Sequence, residues 1–222
     1  MRRFKEKTVI ITGADSDIGR ATAIRFAKEG ANCILVGINH DLLEYIYKEL
    51  PQDHTWINTG NHLTITSDVN DPTQIPRLIE HALEKYQHID VMVNIDTIVG
   101  IHQSVIPYLI KTKGNIVNVS TLTTIAADWN IDSYNAEQNS LTDTTKAMAL
   151  ENAPNGVRIN AVAAGLVTTD TSSNPFLTHS PLGKTATPVD VTAAIMFLAS
   201  DDAAMITGVN LPVDGGVSAS NG

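Results

Sequence analysis

Short runs of apolar, β-branched residues alternate along this chain with longer stretches in which apolar positions recur at helical spacing. Strands are predicted at Val9 to Ile11, Cys33 to Val36, Leu63 to Val69, Val91 to Asn94, Asn115 to Val119, Arg158 to Val162 and Val209 to Val213. Helices are predicted at Ile18 to Glu29, Asp41 to Leu50, Thr73 to Gln87, Ser133 to Asn152 and Val189 to Leu198. Strands separated by helices predict an α/β, Rossmann-like, doubly wound and seven-stranded parallel sheet, with ligands at the carboxyl ends of the strands.

The turn that follows the first strand carries the clearest chemical signal. It reads Thr12-Gly13-Ala14-Asp15-Ser16-Asp17-Ile18-Gly19 and leads directly into the first helix. Glycines let a backbone approach a pyrophosphate closely, and the N–H groups and dipole of a helix N-terminus favour its charge. Asp17 stands where such loops have a further glycine, and its carboxylate is unfavourable beside a phosphate unless it points to water. The loop predicts a nucleotide site, and ordinary turn chemistry is the alternative.

Length, charge and cysteine content limit the classes of protein that fit. The 222 residues are 43% hydrophobic, which predicts one domain over 1–222 with a large core. A formal net charge of −9 argues against nucleic acid and anionic membrane surfaces as partners. No apolar stretch approaches the roughly 20 residues that a membrane helix needs. Cys33 is the single cysteine and lies in an apolar run, which predicts a buried thiol in a reducing, cytoplasmic setting.

Further motifs follow the glycine loop in a fixed order. They are Asp68-Val69, Asp90 to Asn94, Gly114 to Ser120, Tyr134, Val157 to Val162, Gly165 with Val167 and Thr169, Pro181 to Gly183, Phe197 to Asp201, Ile206 to Gly208 and Val213 to Gly216. Together they resemble the short-chain dehydrogenase/reductase family over nearly the whole chain. The resemblance implies a hydride transfer between a nicotinamide cofactor and a small carbonyl or alcohol.

The same resemblance implies a catalytic site that is altered in this chain. Tyr134 matches the family's general acid or base, and Thr121 matches the serine that polarises the substrate carbonyl thirteen residues earlier. Gln138 occupies the position of the family's lysine, one helical turn after the tyrosine. Free tyrosine has a pKa of roughly 10, and a neutral amide supplies no charge that would favour the tyrosinate. Lys146 lies about 18 Å further along the predicted helix and does not replace the lysine.

The segment after the fourth strand departs from the family pattern as well. Asn94-Ile95-Asp96-Thr97 stands where the family has Asn-Asn-Ala-Gly, so only the first residue is kept. The chain is shortened between 97 and 114, and Val105 to Leu109 resembles only the last part of the family's helix there. Because no asparagine lies between Ile95 and Gly114, the family's proton relay through asparagine and water has no counterpart.

The resemblance also implies which residues hold the cofactor. They are Thr12, Gly13, Ser16, Asp17, Ile18, Gly19, Asn39, Asp68, Val69, Asn94, Gly165, Val167 and Thr169. At the end of the second strand, Gly37-Ile38-Asn39 provides neither the acid that binds the ribose of NAD nor the arginine that binds the phosphate of NADP. Acidic Asp15 and Asp17 would repel a further phosphate, so NAD is favoured over NADP if either binds. Asn39 is then expected to replace one ribose hydrogen bond.

Two classes of function stay open at this stage. One is an NAD-dependent oxidoreductase that works slowly through Tyr134 and Thr121. The other is a noncatalytic relative that keeps the scaffold for nucleotide binding, regulation or a partner, with Tyr134 as an ordinary half-buried helix residue. The seven histidines are scattered, so no metal site is predicted. The segment Gly208 to Gly216 resembles a strand that pairs subunits, which predicts a homodimer, and Gln52 to Asn61 is a polar loop of unassigned purpose.

Overall fold

The structure is a computed structural model that describes residues 2–51, 61–95, 100–121, 131–169 and 180–220. Side chains are described throughout these ranges except at 100, 121, 131–141 and 220. Most of the polar loop at 52–61 therefore lies outside the described residues, as do Asp96 and Thr97.

A seven-stranded sheet forms the centre of the molecule, as predicted. Its strands are β1 (Thr8–Thr12), β2 (Asn32–Gly37), β3 (Leu63–Thr66), β4 (Val91–Ile95), β5 (Asn115–Thr121), β6 (Arg158–Ala164) and β7 (Asn210–Val213). The spatial order is β3-β2-β1-β4-β5-β6-β7, and every neighbouring pair is parallel. The direction of winding reverses between β1 and β4, and this switch point is where doubly wound sheets bind their ligands.

Seven helices connect or follow the strands within the described ranges. They are α1 (Asp17–Lys28), α2 (His40–Glu49), α3 (Ile75–Tyr86), α4 (Gly100–Thr112), α5 (Ile131–Asn152), α6 (Pro188–Ala199) and α7 (Val217–Ser220). Side-chain caps fix several of their starts: Ser16 accepts from Gly19 N, and Thr187 and Asp190 form a reciprocal capping box. The predicted helices are confirmed with small shifts at their ends.

Apolar layers cover both faces of the sheet. Phe26 of α1 and Ile195 of α6 belong to the core on one face, while Leu78 of α3 and Leu109 of α4 belong to the core on the other. Successive strand residues point to opposite faces, so Ile10 and Ile11 lie in different layers and both are fully buried. This two-sided burial explains why β1 and β2 contain continuous apolar runs rather than alternating ones.

The third strand is shorter than predicted, because it ends at Thr66 rather than Val69. The backbone beyond it turns: Gln74 accepts a hydrogen bond from Asp68 N, and the Asp68 side chain accepts one from Asn70 N. The same turn delays the start of α3 to Ile75. Polar side chains thus compete with the sheet for these backbone groups, which the apolar pattern alone does not reveal.

The helix before β5 is longer than the sequence analysis predicts. It spans thirteen residues, Gly100–Thr112, with Pro107 inside it. Ile101, Val105 and Leu109 recur every four residues and are fully buried. This spacing of apolar residues is typical of a helix. The internal proline and the polar residues between the apolar positions obscure the pattern in the sequence.

Candidate functional site

The side chain of Ser16 closes the glycine loop between β1 and α1. Ser16 Oγ donates to Gly13 O at 2.7 Å and accepts from Gly19 N at 3.1 Å. Gly13 has a φ of +60°, a conformation that side-chain-bearing residues rarely adopt. A Cβ at Gly19 would lie 2.2 Å from Gly13 O, so the first turn of α1 approaches the loop as closely as only glycine permits. The loop is a compact cradle of backbone groups.

Asp17 does not obstruct this cradle. It is the first residue of α1, and its side chain is exposed. The carboxylate therefore stands in water, which is the condition under which the sequence analysis allows a phosphate nearby. Ile18 faces the opposite way and is buried in the core. Its predicted part in holding the cofactor stays a prediction.

The loop lies at the switch point of the sheet. Thr12 is paired in register with Asn94, and Thr12 Oγ1 donates to Asn94 Oδ1 at 2.8 Å. Ile95 N donates to the same hydroxyl at 3.3 Å. Side chains therefore fix the carboxyl ends of β1 and β4 to each other. The structure thus brings together predicted cofactor residues from two separate motifs, Thr12-Gly13 and Asn94.

A buried polar cluster continues from Asn94 towards β5. His102 Nε2 lies 2.7 Å from Asn118 Oδ1, and because an amide oxygen only accepts, the imidazole donates in this bond. Asn94 Nδ2 also donates to Asn118 Oδ1, at 3.5 Å. All three residues are buried. His102, one of the scattered histidines, is thus held in a buried hydrogen-bonded cluster at the ends of β4 and β5.

Asp15 connects the glycine loop to the end of β2. Its Oδ2 accepts hydrogen bonds from Ile38 N at 3.0 Å and from Asn39 N at 2.9 Å. Ala14 N adds a backbone hydrogen bond to Val36 O at 2.9 Å. The sequence analysis treats Asp15 only as a local negative charge and misses this contact. The sequence signal that indicates it is the side-chain-free Gly37, where the family has an acid.

The residues predicted to bind the adenosine lie around this same edge. Asn39 Oδ1 caps α2 by accepting from Leu42 N at 3.1 Å. Asp68 is exposed and Val69 is half-buried, both in the turn after β3. Ser67 N donates to Gly37 O at 2.9 Å, so this turn and the end of β2 are adjacent. The structure brings these three residues near the glycine loop, and their binding roles stay predictions.

Three further residues predicted to hold the cofactor follow β6. A Cβ at Gly165 would lie 2.8 Å from Asp214 Cα, so this turn packs tightly against the residue that follows β7. Val167 pairs with Ala186 in an isolated parallel bridge, and Thr168 N donates to Ala186 O at 3.1 Å. Thr169 is the last described residue of this segment. Residues 170–179 lie outside the described residues.

The three predicted catalytic residues are located by backbone only. Thr121 is the last residue of β5 and is paired with Ala164 of β6. Tyr134 and Gln138 lie four residues apart on α5, and their side chains, like that of Thr121, lie outside the described ones. Their catalytic roles therefore stay predictions. Lys146, further along α5, is exposed.

The single thiol, possible metal ligands and possible membrane spans were considered in the described part of the chain. Cys33 is fully buried, and burial raises the pKa of its thiol well above the usual range, so the predicted buried thiol is confirmed. Among the described residues, no three His, Cys, Asp or Glu side chains cluster as a metal ion requires. No helix within the described ranges has the length and apolarity of a membrane span.

Comparison with known families decides the identity of the fold. Residues 7–102 match the family model described as short chain dehydrogenase, and residues 93–218 match the one described as Enoyl-(Acyl carrier protein) reductase. This chain belongs to the short-chain dehydrogenase/reductase family. The resemblance drawn from the sequence motifs is confirmed, and the protein is a short-chain dehydrogenase/reductase-type oxidoreductase by family.

Three relatives illustrate the similarity. Meso-2,3-butanediol dehydrogenase of Serratia marcescens is 33% identical over 252 positions, covering 99% of this chain and 98% of the relative. The structure of 3-ketoacyl-(acyl-carrier-protein) reductase from Brucella melitensis complexed with NADH has a TM-score of 0.82 at 28% identity, covering 96% and 99% of the two chains. That of 7α-hydroxysteroid dehydrogenase complexed with NADH and 7-oxo glycochenodeoxycholic acid has a TM-score of 0.81 at 25% identity, covering 96% and 95%.

The alignment with the butanediol dehydrogenase also bears on chain length. It extends over 252 positions, whereas this short-chain dehydrogenase/reductase has 222 residues, so the relative carries residues that this chain lacks. That the missing residues fall between 97 and 114, as the sequence motifs indicate, stays a prediction.

Proposed function

We propose that this protein binds NAD and transfers hydride between it and a small alcohol or carbonyl compound. The observation that carries the proposal is the closed glycine cradle at the switch point, where Gly19 approaches Gly13 O too closely for any side chain. Such a cradle, with the N-terminus of α1 behind it, suits a pyrophosphate. Two structural relatives in complex with NADH support the same class of cofactor.

The residues present fit a dinucleotide along the whole edge of the sheet. The backbone of the loop would hold the pyrophosphate, the turn at Asp68 and Val69 would hold the adenine, and the segment from Gly165 to Thr169 would hold the nicotinamide end. When bound, the nicotinamide supplies or accepts the hydride. The protein's part is to position this group and to move a proton to or from the substrate oxygen.

We propose Tyr134 for that proton transfer and Thr121 as a hydrogen-bond donor to the substrate oxygen. A protonated tyrosine is ready to donate, so carbonyl reduction needs no shift of its pKa. Alcohol oxidation needs the tyrosinate, and neutral Gln138 does nothing to stabilise that anion. The proposal is therefore a slow enzyme in which oxidation is favoured only at alkaline pH.

A noncatalytic nucleotide-binding protein is the second candidate. Gln138 in the position of the lysine and the missing asparagine between Ile95 and Gly114 favour it. Both candidates require the same cradle and differ in whether hydride transfer is measurable. A cytoplasmic homodimer is proposed for either one, because β7 is an edge strand of the sheet and is only partly buried. Size-exclusion chromatography with light scattering tests the dimer.

Calorimetric titration with NAD, NADH and NADP is the first experiment. We expect NAD to bind in the micromolar range, on the order of −8 kcal/mol. Absence of binding by all three would refute both candidates. The activity assay then follows NADH absorbance with diacetyl, acetoin and meso-2,3-butanediol, because a butanediol dehydrogenase is among the relatives. Tyr134→Phe is the control, and a turnover that survives it would contradict the role given to Tyr134.

A further inference from the structure

At the end of β2, a side chain from the glycine loop occupies the place that the side chain of a strand residue would otherwise fill. Gly37 lies where a side chain would point towards the glycine loop, and a Cβ built there would lie 2.4 Å from Asp15 Oδ1 and 2.5 Å from Asp15 Cγ. The backbone of Gly37 is not in the left-handed region, so conformation does not demand a glycine here. Gly37 is required because the carboxylate of Asp15 fills the place of its side chain.

The two oxygens of this carboxylate have different surroundings. Oδ2 accepts from Ile38 N and Asn39 N, which fixes the group against the end of β2. Oδ1 has no hydrogen-bond partner among the residues that the structure describes, and Asp15 is partly exposed. One oxygen thus anchors the carboxylate to the strand, and the other is available to a donor from solution.

We propose that Asp15 determines cofactor specificity by accepting hydrogen bonds from the adenosine ribose of NAD through Oδ1. This inference depends on the dinucleotide binding proposed above. In dinucleotide-binding folds, the acidic residue that hydrogen-bonds the adenosine ribose lies about 20 residues beyond the glycine loop, at the end of the second strand. Here the glycine loop itself provides that carboxylate, at the same place in space but from a different element of the fold.

Charge and hydrogen bonding both favour Asp15 over its neighbour Asn39 for this role. Ribose hydroxyls donate most strongly to an ionised acceptor, and Asp15 is an acid whereas Asn39 is a neutral amide. The Asn39 oxygen already caps α2. The extra phosphate of NADP would meet the negative charge of Asp15, and residues 37–39 contain no cation. Arg20 of α1 is held by both oxygens of Glu49, at 2.6 and 2.8 Å.

The test compares the affinities of NAD and NADP by calorimetry in five proteins, the wild type and four variants. We expect the wild type to bind NAD at least tenfold more tightly than NADP. Asp15→Asn should weaken NAD about tenfold, equivalent to about 1.4 kcal/mol, and should strengthen NADP. The matched control is Asp41→Asn, which removes an equally charged and exposed group from the first turn of α2, two residues beyond Asn39. It should leave the NAD affinity within twofold of the wild type.

A carboxylate exchange makes the test independent of the loop's own stability. In the double variant Asp15→Ser/Gly37→Asp, the carboxylate is carried by β2 instead of the glycine loop. The smaller serine at position 15 leaves room for it. We expect this double variant to recover the preference for NAD. Gly37→Asp alone should lose NAD affinity, because two carboxylates then compete for one place. Recovery in the double variant but not in the single ones would establish that the carboxylate, rather than its position in the chain, selects the cofactor.

Three results would overturn the inference. If the wild type binds neither dinucleotide, the proposed function fails together with it. If the wild type binds NAD but prefers NADP, or if Asp15→Asn lowers both affinities by the same factor together with the melting temperature, Asp15 is only a brace between the loop and β2. In these two cases the proposed dinucleotide binding stands and the specificity role alone is refuted.

Discussion

The hydroxyl of Thr12 donates to the side-chain oxygen of Asn94 at 2.8 Å and joins the ends of the two strands that flank the switch point. Both residues are buried. Replacing the hydroxyl by a methyl group, in Thr12→Val, leaves the volume nearly unchanged but removes the donor to Asn94. We expect a loss of about 1–3 kcal/mol in the free energy of unfolding, because the buried Asn94 oxygen and Ile95 N each lose a hydrogen bond to this hydroxyl. Urea denaturation measures it.

Thr12→Ser is the matched control, because it keeps the hydroxyl and removes only a methyl group. Its loss should be smaller than that of the valine variant. Equal losses in the two variants would show that packing, rather than the hydrogen bond, connects β1 to β4.

Gly19→Ala should abolish dinucleotide binding. The added Cβ would lie 2.2 Å from Gly13 O, so either the loop or the first turn of α1 must move. We expect the NAD affinity to fall more than tenfold. The matched control is Gly156→Ala, at a turn before β6 with a φ of +78°. This variant introduces backbone strain of about 1 kcal/mol at the opposite end of the sheet, and its NAD affinity should equal that of the wild type.

Restoring the positive charge beside the tyrosine should raise alcohol oxidation. In Gln138→Lys we expect at least a tenfold gain near neutral pH and a shift of the pH–rate profile to lower pH, because a nearby cation lowers the pKa of a phenol. Gln138→Met is the neutral control of similar length. Introducing Tyr134→Phe into the lysine variant should remove the gain. A gain that persists without the tyrosine would exclude Tyr134 as the proton carrier.

Acid should weaken the fold through Glu29. Hydrogen bonds from Arg3 hold the pKa of this carboxyl below its usual value, and Arg25 adds to the effect. A group with a lowered folded-state pKa contributes stability above its unfolded-state value of about 4.3. That contribution is lost as the pH falls through the folded-state pKa. Glu29→Gln should therefore destabilise the protein at pH 7 and less so at pH 3.

The exposed pair of Arg20 and Glu49 provides the comparison for this prediction. Its bidentate geometry is similar, but its side chains are 45% and 27% exposed, against 24% and 10% for Arg3 and Glu29. Solvent screening weakens exposed ion pairs, so Glu49→Gln should lower the melting temperature less than Glu29→Gln does. Equal effects of the two substitutions on thermal unfolding would contradict a role for burial.

The sequence predicts those parts of the molecule that depend on local pattern. Strands such as β1 and β2 are buried on both faces, so Val9 to Ile11 and Cys33 to Val36 are unbroken apolar runs that are easy to recognise. The glycine loop is only partly local, since Gly19 approaches Gly13 O and Ala14, whereas the space at Gly13 is limited by Ile95 of β4. Side-chain hydrogen bonds at Asp68 end β3 early, and the proline inside α4 obscures the apolar spacing of that helix.

Contacts between distant segments were beyond the sequence analysis. Nothing near Asp15 in the chain indicates that its carboxylate reaches Ile38 and Asn39, because that contact exists only once β1 and β2 pair. The burial of His102 against Asn118 likewise depends on how α4 lies on the sheet. The catalytic chemistry depends on Tyr134, whose family role is inferred from its motif position.

The contact between Asp15 and β2 also affects how this protein can change over evolution. Where the ribose acid lies on the second strand, phosphate binding and cofactor choice are encoded in separate segments and can vary independently. On our proposal, residues 12–19 encode both. Cofactor preference would then depend on one short segment of chain. Introducing those eight residues together with Gly37 into another member of the family would transfer the preference.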